Sequence, residues 1–339
     1  IFPLRYELAV KNGMYRGENL YVTRKFIKFD AQLPGFYDPM AVDFNVVKEM
    51  KLLSRSDQER LLRFFDVSPD LQFESGKSVL MMTQHFSNLN ILSYADHALC
   101  YQLTSDYYLD GYTLYYKWHP SDLMPYPSFI ENVHMIDGQF PAELMILVID
   151  SPFEVGASIN STGIYNLKSI CKQVLTFDQD YLNTFWHNHQ YYFAVKLLEH
   201  FPDHEVVALG VNHIQFENMC HFSGENVCCT INYQDTININ ASGKKVYLIG
   251  KTEKEVVESI DLHYEELSPD SIFVFLNLYD KYECLPLMRK FPFIVKEIRI
   301  NDMDSHCLRP FLDCRRIIIF ASDDGRREKV EKMKYTKRL

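Results

Sequence analysis

Short apolar runs of strand length alternate with longer segments of helical period along most of this chain. That alternation restricts the fold more than any other feature of the sequence. From residue 78 the order is a strand at Ser78–Thr83, a helix at Ile91–Asp106, and strands at Tyr112–Lys117 and Val133–Ile136. A helix opening with Pro141 covers Phe140–Val148, and proline is favoured at a helix start. Strands at Phe153–Ala157 and Lys172–Phe177, a long aromatic helix at Tyr181–Phe201 and a strand at His204–Gly210 follow. Strands separated by helices predict a parallel sheet with crossovers, hence an α/β fold.

A second run of the same kind begins after the small polar interruption Ala241-Ser242-Gly243. It reads strand Lys245–Ile249, helix Thr252–Glu266, strand Ser271–Leu276, short helix Tyr279–Phe291, then strands Phe293–Ile300 and Arg316–Phe320. Residues 211–240 between the two runs read as short strands, at Val227–Tyr233 and Thr236–Asn240. Residues 1–74 begin irregularly and settle into one helix near Ser56–Phe65, with Ser56 and Glu59 as a capping-box pair. The stretch from Pro69 to Gly76 reads as a domain boundary. Two Rossmann-like units facing across a cleft, the GT-B arrangement, is the architecture expected by analogy.

Charge divides the chain in another way. The net charge is −10, yet residues 75–243 hold five basic side chains (Lys77, Lys117, Lys168, Lys172, Lys196) against 17 acidic ones. The remainder is slightly basic, which suggests that it meets an anion or an anionic surface. With 47% hydrophobic residues over 339 positions the core is ample, and no apolar run approaches the roughly 20 residues that span a bilayer. No signal peptide is visible. The eight cysteines lack metal-site spacing and read as reduced thiols of an intracellular protein.

Ligands of open α/β sheets bind at the carboxyl ends of strands. Four such ends carry chemistry here. Leu114-Tyr-Tyr-Lys-Trp-His-Pro120 delivers a cation, an aromatic and an imidazole together, and Pro120 stops the strand. Gln84 and His85 end the first strand. Ser158-Ile-Asn-Ser-Thr-Gly163 is a turn of hydroxyls and glycine that can offer N–H and O–H groups to a phosphate. Asp323-Asp324-Gly325 puts two carboxylates at the end of the last strand.

Lys117-x-His119-Pro120, Phe140-Pro-Ala-Glu143, Ser161-Thr162 and Asp323-Asp324-Gly325 together resemble the motifs of bacterial sialyltransferases and polysialyltransferases, most closely the capsular α2,8-polysialyltransferases. The resemblance spans most of the chain and implies a metal-independent, inverting GT-B enzyme without cofactor, using CMP-sialic acid as donor. It assigns Asp324 as the base on the acceptor hydroxyl and His119 as the acid at the leaving phosphate. Ser161 and Thr162 would hold phosphate oxygens, Glu143 the ribose, and Lys117 the base, with Pro120 in the same motif. Gln84 and His85 would border the sugar. The acceptor would be an anionic glycan, with no nucleic acid as partner. A monosialyltransferase acting on lipooligosaccharide galactose and a non-catalytic nucleotide-sugar or polyanion-binding module are the other readings.

The acidic motif stands after the His-Pro motif here, the reverse of the family order, which a circular permutation explains. Residues 75–243 would then form the donor domain, and residues 244–339 plus 1–74 the acceptor domain, with Ile1 near Leu339. The implied location is cytoplasmic, peripheral to the inner face of the bacterial inner membrane, where the basic segment Arg326–Arg338 would meet anionic lipid.

Overall fold

A computed structural model describes residues 24–27, 40–68, 73, 76–136, 140–150, 152–222, 230–234, 243–250, 258, 260, 262, 271–278, 293–299 and 316–321. The chain divides into two compact units. One comprises Ile1–Gln72 with Phe140–Asp150, the other Phe73–Gln139 with Ser151–Leu339.

In the first unit, β1 (Lys25–Ile27) pairs in parallel with β2 (Ala41–Asp43). Two helices follow, α1 (Val46–Leu52) and α2 (Arg55–Phe64). The N-cap of α2 is Ser54, whose hydroxyl accepts from the Asp57 amide at 3.2 Å and donates to the Asp57 carboxylate at 2.7 Å. Ser56 therefore lies inside the helix and caps nothing, and Glu59 pairs with Arg55 one turn earlier. The capping pattern was present two residues before the expected one. The turn of 3-10 helix at Ala142–Leu147 also belongs to this unit, where the sequence predicted a full helix.

The larger unit contains two sheets. The first uses β3 (Ser78–Met82), β4 (Thr113–Lys117), β5 (Val133–Ile136), β6 (Phe153–Ile159) and β7 (Cys171–Phe177), with α3 (Tyr94–Tyr108) crossing from β3 to β4. Its strands are all parallel in the order β5-β4-β3-β6-β7. Sequence order reverses between β3 and β6, so the crevice beyond the carboxyl ends of these two strands is the topological switch point. Val79, Leu80 and Met81 are buried, as a central parallel strand covered on both faces requires.

The expected Tyr181–Phe201 helix is divided. It comprises α4 (Gln179–Thr184), a 3-10 turn at Phe185–His187 and α5 (Asn188–Leu198). Next come β8 (Glu205–Leu209), α6 (His213–Phe222), β9 (Ile231–Gln234), β10 (Lys245–Ile249), β11 (Ile272–Leu278), β12 (Phe293–Arg299) and β13 (Arg316–Ala321). These strands make the second sheet, ordered β12-β13-β11-β10-β8-β9. β9, β8, β10 and β11 run parallel, while β13 is antiparallel to both β11 and β12. The Ala241–Gly243 interruption thus falls within the second sheet, because β8 and β9 precede it and pair beside β10.

Helix α6 was not foreseen, since residues 211–240 read as strands. Asn212 caps it by accepting from the Gln215 amide at 3.0 Å, and Gln215, Phe216 and Met219 bury at helical spacing. The strand at Val227–Tyr233 is partly present as β9. The expectations for Thr236–Asn240, most of Thr252–Glu266, Tyr279–Phe291 and Asp323–Gly325 lie outside the described residues, as do both chain ends on which a permuted order depends.

One buried core runs from Val79 and Met81 of the first sheet, through α3 and α5, to Val246 and Val274 of the second. Helix α3 is buried along most of its length rather than on one stripe, as befits a helix with neighbours on several sides. A polar network crosses the core beside it. Thr104 and Asn188 bond the Tyr181 hydroxyl at 2.6 and 2.9 Å, and Gln215 donates to Asn188 at 2.6 Å. At the corresponding switch point of the second sheet the backbones close up tightly. The Gly250 amide donates to Leu209 O at 2.9 Å, and a Cβ on Gly250 would stand 2.8 Å from the Gly210 carbonyl oxygen. Gly250→Ala is therefore expected to destabilise the chain by about 2 kcal/mol, as overpacked sites do, read as a lower urea midpoint at unchanged slope.

Candidate active site at the switch point

Strand register brings three strand ends level. Lys117 of β4 stands opposite Met82 of β3, and Met82 stands opposite Ser158 of β6. The segments that continue past these residues, Thr83–Phe86, Trp118–Asp122 and Asn160–Gly163, accordingly leave the same edge of the sheet.

Past β4 the chain turns at once. The Asp122 amide donates to His119 O at 2.8 Å, closing a turn around Pro120 and Ser121. The Asp122 carboxylate, 6% exposed, is the acceptor that holds this turn. It takes hydrogen bonds from Thr83 Oγ1 at 2.6 Å, the Tyr126 hydroxyl at 2.7 Å and the Met124 amide at 3.1 Å. Thr83 in turn accepts from the His119 amide at 3.1 Å, and its own amide donates to Lys117 O at 3.1 Å, so β3 and the His-Pro turn are tied together. Behind Tyr126 lies His97 of α3, with Nε2 3.2 Å from the hydroxyl and Nδ1 3.1 Å from Ser87 Oγ. Trp118 donates to Met124 O at 3.3 Å, so this ring braces the loop.

The His119 imidazole stacks on that of His85, with centroids 4.0 Å apart and planes at 22°. Its Nδ1 accepts from the Ser121 amide at 3.2 Å. That bond fixes the neutral tautomer with the proton on Nε2. Burial, and then the neighbouring His85, hold His119 below the ordinary histidine value, while Asp122 opposes them. His97 is held down as well, by burial first, against the pull of Asp122.

Both shifts have the same consequence for stability. A histidine with a lowered folded-state value binds fewer protons folded than unfolded, so its contribution is fully present above the ordinary value of 6.5 and is lost as the pH falls through the folded one. Urea melts at a series of pH values are expected to show falling midpoints below about 6.5, with a shallower slope in His97→Asn.

After β6, Asn160 adopts φ +49°, its amide bonding Phe177 O at 2.6 Å. Ser158 Oγ donates to Ser161 O at 2.8 Å, and Ser161 Oγ accepts from the Gly163 amide at 3.3 Å at the start of a 3-10 helix. Thr162 is exposed and makes no cap, so its hydroxyl stays at the surface of the turn.

Of the residues singled out from the sequence, Gln84, His85, Lys117, His119, Pro120, Ser161 and Thr162 all lie at this one sheet edge. Lys117 is 2% exposed, its side chain buried at the strand end. Glu143 stands on the 3-10 turn of the other compact unit, and Asp324 lies outside the described residues. The network residues Thr83, Asp122, Tyr126 and His97 were missed. The signal for Asp122 was available, because an aspartate in a turn commonly accepts from the amide two residues on, as it does here from Met124.

Residues 48–173 match the sequence model of the alpha-2,8-polysialyltransferase (POLYST) family. Over these residues the chain is similar to that family. The match supports a glycosyltransferase enzyme, and its span contains Gln84, His85, Lys117, His119, Glu143, Ser161 and Thr162 but ends well before Asp324. No curated protein and no solved structure matches the chain. Among the described residues no helix is long and apolar enough to cross a membrane.

Proposed function

We propose that this enzyme transfers sialic acid from CMP-sialic acid to an anionic glycan, elongating α2,8-linked polysialic acid, with inversion and without a metal. The observation that carries the reading is the stacked His119 at the carboxyl end of β4, beside the switch point, within the span that matches the polysialyltransferase family. Sialyl transfer passes through an oxocarbenium-like state and releases a cytidine monophosphate whose growing charge needs a donor. His119, fixed with its proton on Nε2, supplies that donor as a hydrogen bond or a transferred proton.

Ser161 and Thr162, on the turn after β6, hold the phosphate oxygens in this reading, and Gln84 borders the sugar. Glu143 accepts from the ribose hydroxyls, whereas the Lys117 side chain, 2% exposed, is too buried to address the cytosine as the motif implied. Asp324 removes the acceptor proton, with Asp323 beside it raising its basicity by like-charge repulsion. In this reading the donor is bound at the edge of the first sheet and the acceptor mainly by residues outside 75–243, in GT-B fashion. The excess of basic residues outside 75–243 suits a polyanionic acceptor. The same charge would support peripheral contact with an anionic membrane face.

A thermal-shift series over nucleotides tests the donor assignment. A ligand that binds only the folded chain stabilises it by mass action, about 2.7 kcal/mol at a hundredfold excess over Kd. CMP is expected to raise the melting temperature more than UMP, UDP, GMP or GDP. A larger shift with UDP or GDP would point to a different nucleotide-sugar donor.

A further inference from the structure

We propose that His85 and His119 act as one anion-binding pair, in which His85 is a second donor to the phosphate leaving group rather than a packing residue. This rests on the reading of the site as a nucleotide-sugar transferase, and extends it to a residue with no assigned role at the phosphate.

The first observation is geometric. Two imidazoles from successive strand ends lie face to face at 4.0 Å, next to the switch point of the sheet. A pair this close does not carry two protons readily without a counter-charge. Something anionic seated against the pair removes that restriction.

The second observation concerns tautomers. His85 Nδ1 is cut off from solvent and has no hydrogen-bond partner among the described residues. A buried lone pair there costs less than a buried, unpaired N–H, so the neutral ring keeps its proton on Nε2. His119 reaches the same tautomer by another route, because its Nδ1 accepts from the Ser121 amide. Both stacked rings therefore have Nε2–H as the donor that is left for a ligand. The His85 side chain makes no hydrogen bond with any described residue, unlike that of His97, which is engaged by Ser87 and Tyr126.

The charged and titratable neighbours do not supply the missing anion. Asp122, the carboxylate that acts on His119, is buried and already engaged by Thr83, Tyr126 and the Met124 amide. Tyr126 and, from α3, Tyr101 are held well above the ordinary phenol value by burial, so neither is anionic near neutrality. His97 and the buried Lys117 add no negative charge. The anion must come from the ligand, and a phosphate monoester offers several acceptor oxygens to two donors. Protons taken up when it binds come from solvent.

The test is a histidine NMR titration of the whole chain, with inorganic phosphate and CMP as probes. Saturating CMP is expected to move the imidazole resonances of both His85 and His119 and to raise the titration midpoints of both. In His85→Asn the CMP Kd should weaken about tenfold or more, the worth of a hydrogen bond to a charged group, and the His119 midpoint in the free chain should rise because its like-charge neighbour is gone. His85→Gln serves if the asparagine variant does not fold. If CMP moves His119 while His85 stays silent, or if the His85 variants bind CMP normally, the pair is refuted and the transferase reading stands. If inorganic phosphate moves both rings but CMP binds no better than phosphate, the pair stands and the CMP donor fails.

Discussion

Asp122→Ala is expected to lower stability by about 3 kcal/mol, given that a hydrogen bond to a charged group is worth about 1.5–3 kcal/mol and three are lost. The carboxylate takes the Thr83 and Tyr126 hydroxyls and the Met124 amide, all in a buried setting. Alanine leaves those donors without an acceptor and loosens the turn that sets His119 against His85. Part of the loss is returned because a buried charge is also removed, which keeps the estimate below the simple total. Urea unfolding of the two chains measures it. Asp122→Asn, which keeps the shape and the Oδ1 acceptor, should cost clearly less. A midpoint change equivalent to under about 1 kcal/mol for the alanine variant would mean that the turn is held by its backbone bonds alone.

Asp324→Asn is expected to reduce transfer from CMP-sialic acid by about a hundredfold to ten-thousandfold, the usual worth of a positioned general base. CMP binding should be nearly unchanged, since the base acts on the acceptor. Kinetics at saturating donor, set beside a CMP titration of the same variant, separates the two effects. Transfer at the parent rate would remove Asp324 from the base role and direct attention to other carboxylates. A parent chain that binds CMP but shows no transfer to any sialylated acceptor would favour the non-catalytic binding module.

The strands were largely legible in advance. Val133–Ile136 and Lys245–Ile249 occupy their expected spans, and Ser78–Met82 and Phe293–Arg299 differ from theirs by one residue, because apolar runs bounded by polar turns mark buried strands clearly. Helices were harder to read. The aromatic segment from residue 179 breaks into two helices around Phe185–His187, and α6 was taken for strand. The break at Phe185–His187 contains no glycine or proline to announce it, and in α6 the tertiary burial of Gln215, Phe216 and Met219 decides for helix over a weak local preference.

The site divides in the same way. His119, Ser161 and Thr162 were readable because each sits at a strand end, where the fold class alone says that ligands bind. Apart from Asp122, the residues that hold them were not readable, because their partners are distant in sequence. Thr83 meets Asp122 39 residues later, and Tyr126 meets His97 29 residues earlier. By itself the sequence determined that this chain makes parallel α/β sheets and which strand ends carry an imidazole, hydroxyls or a cation. Only the tertiary structure decided that β4 lies beside β3 with Lys117 opposite Met82, and hence that His119 stacks on His85. Hydrophobic alternation constrains which face of a strand is buried, whereas the neighbour and register that join two distant turns follow from packing the whole core.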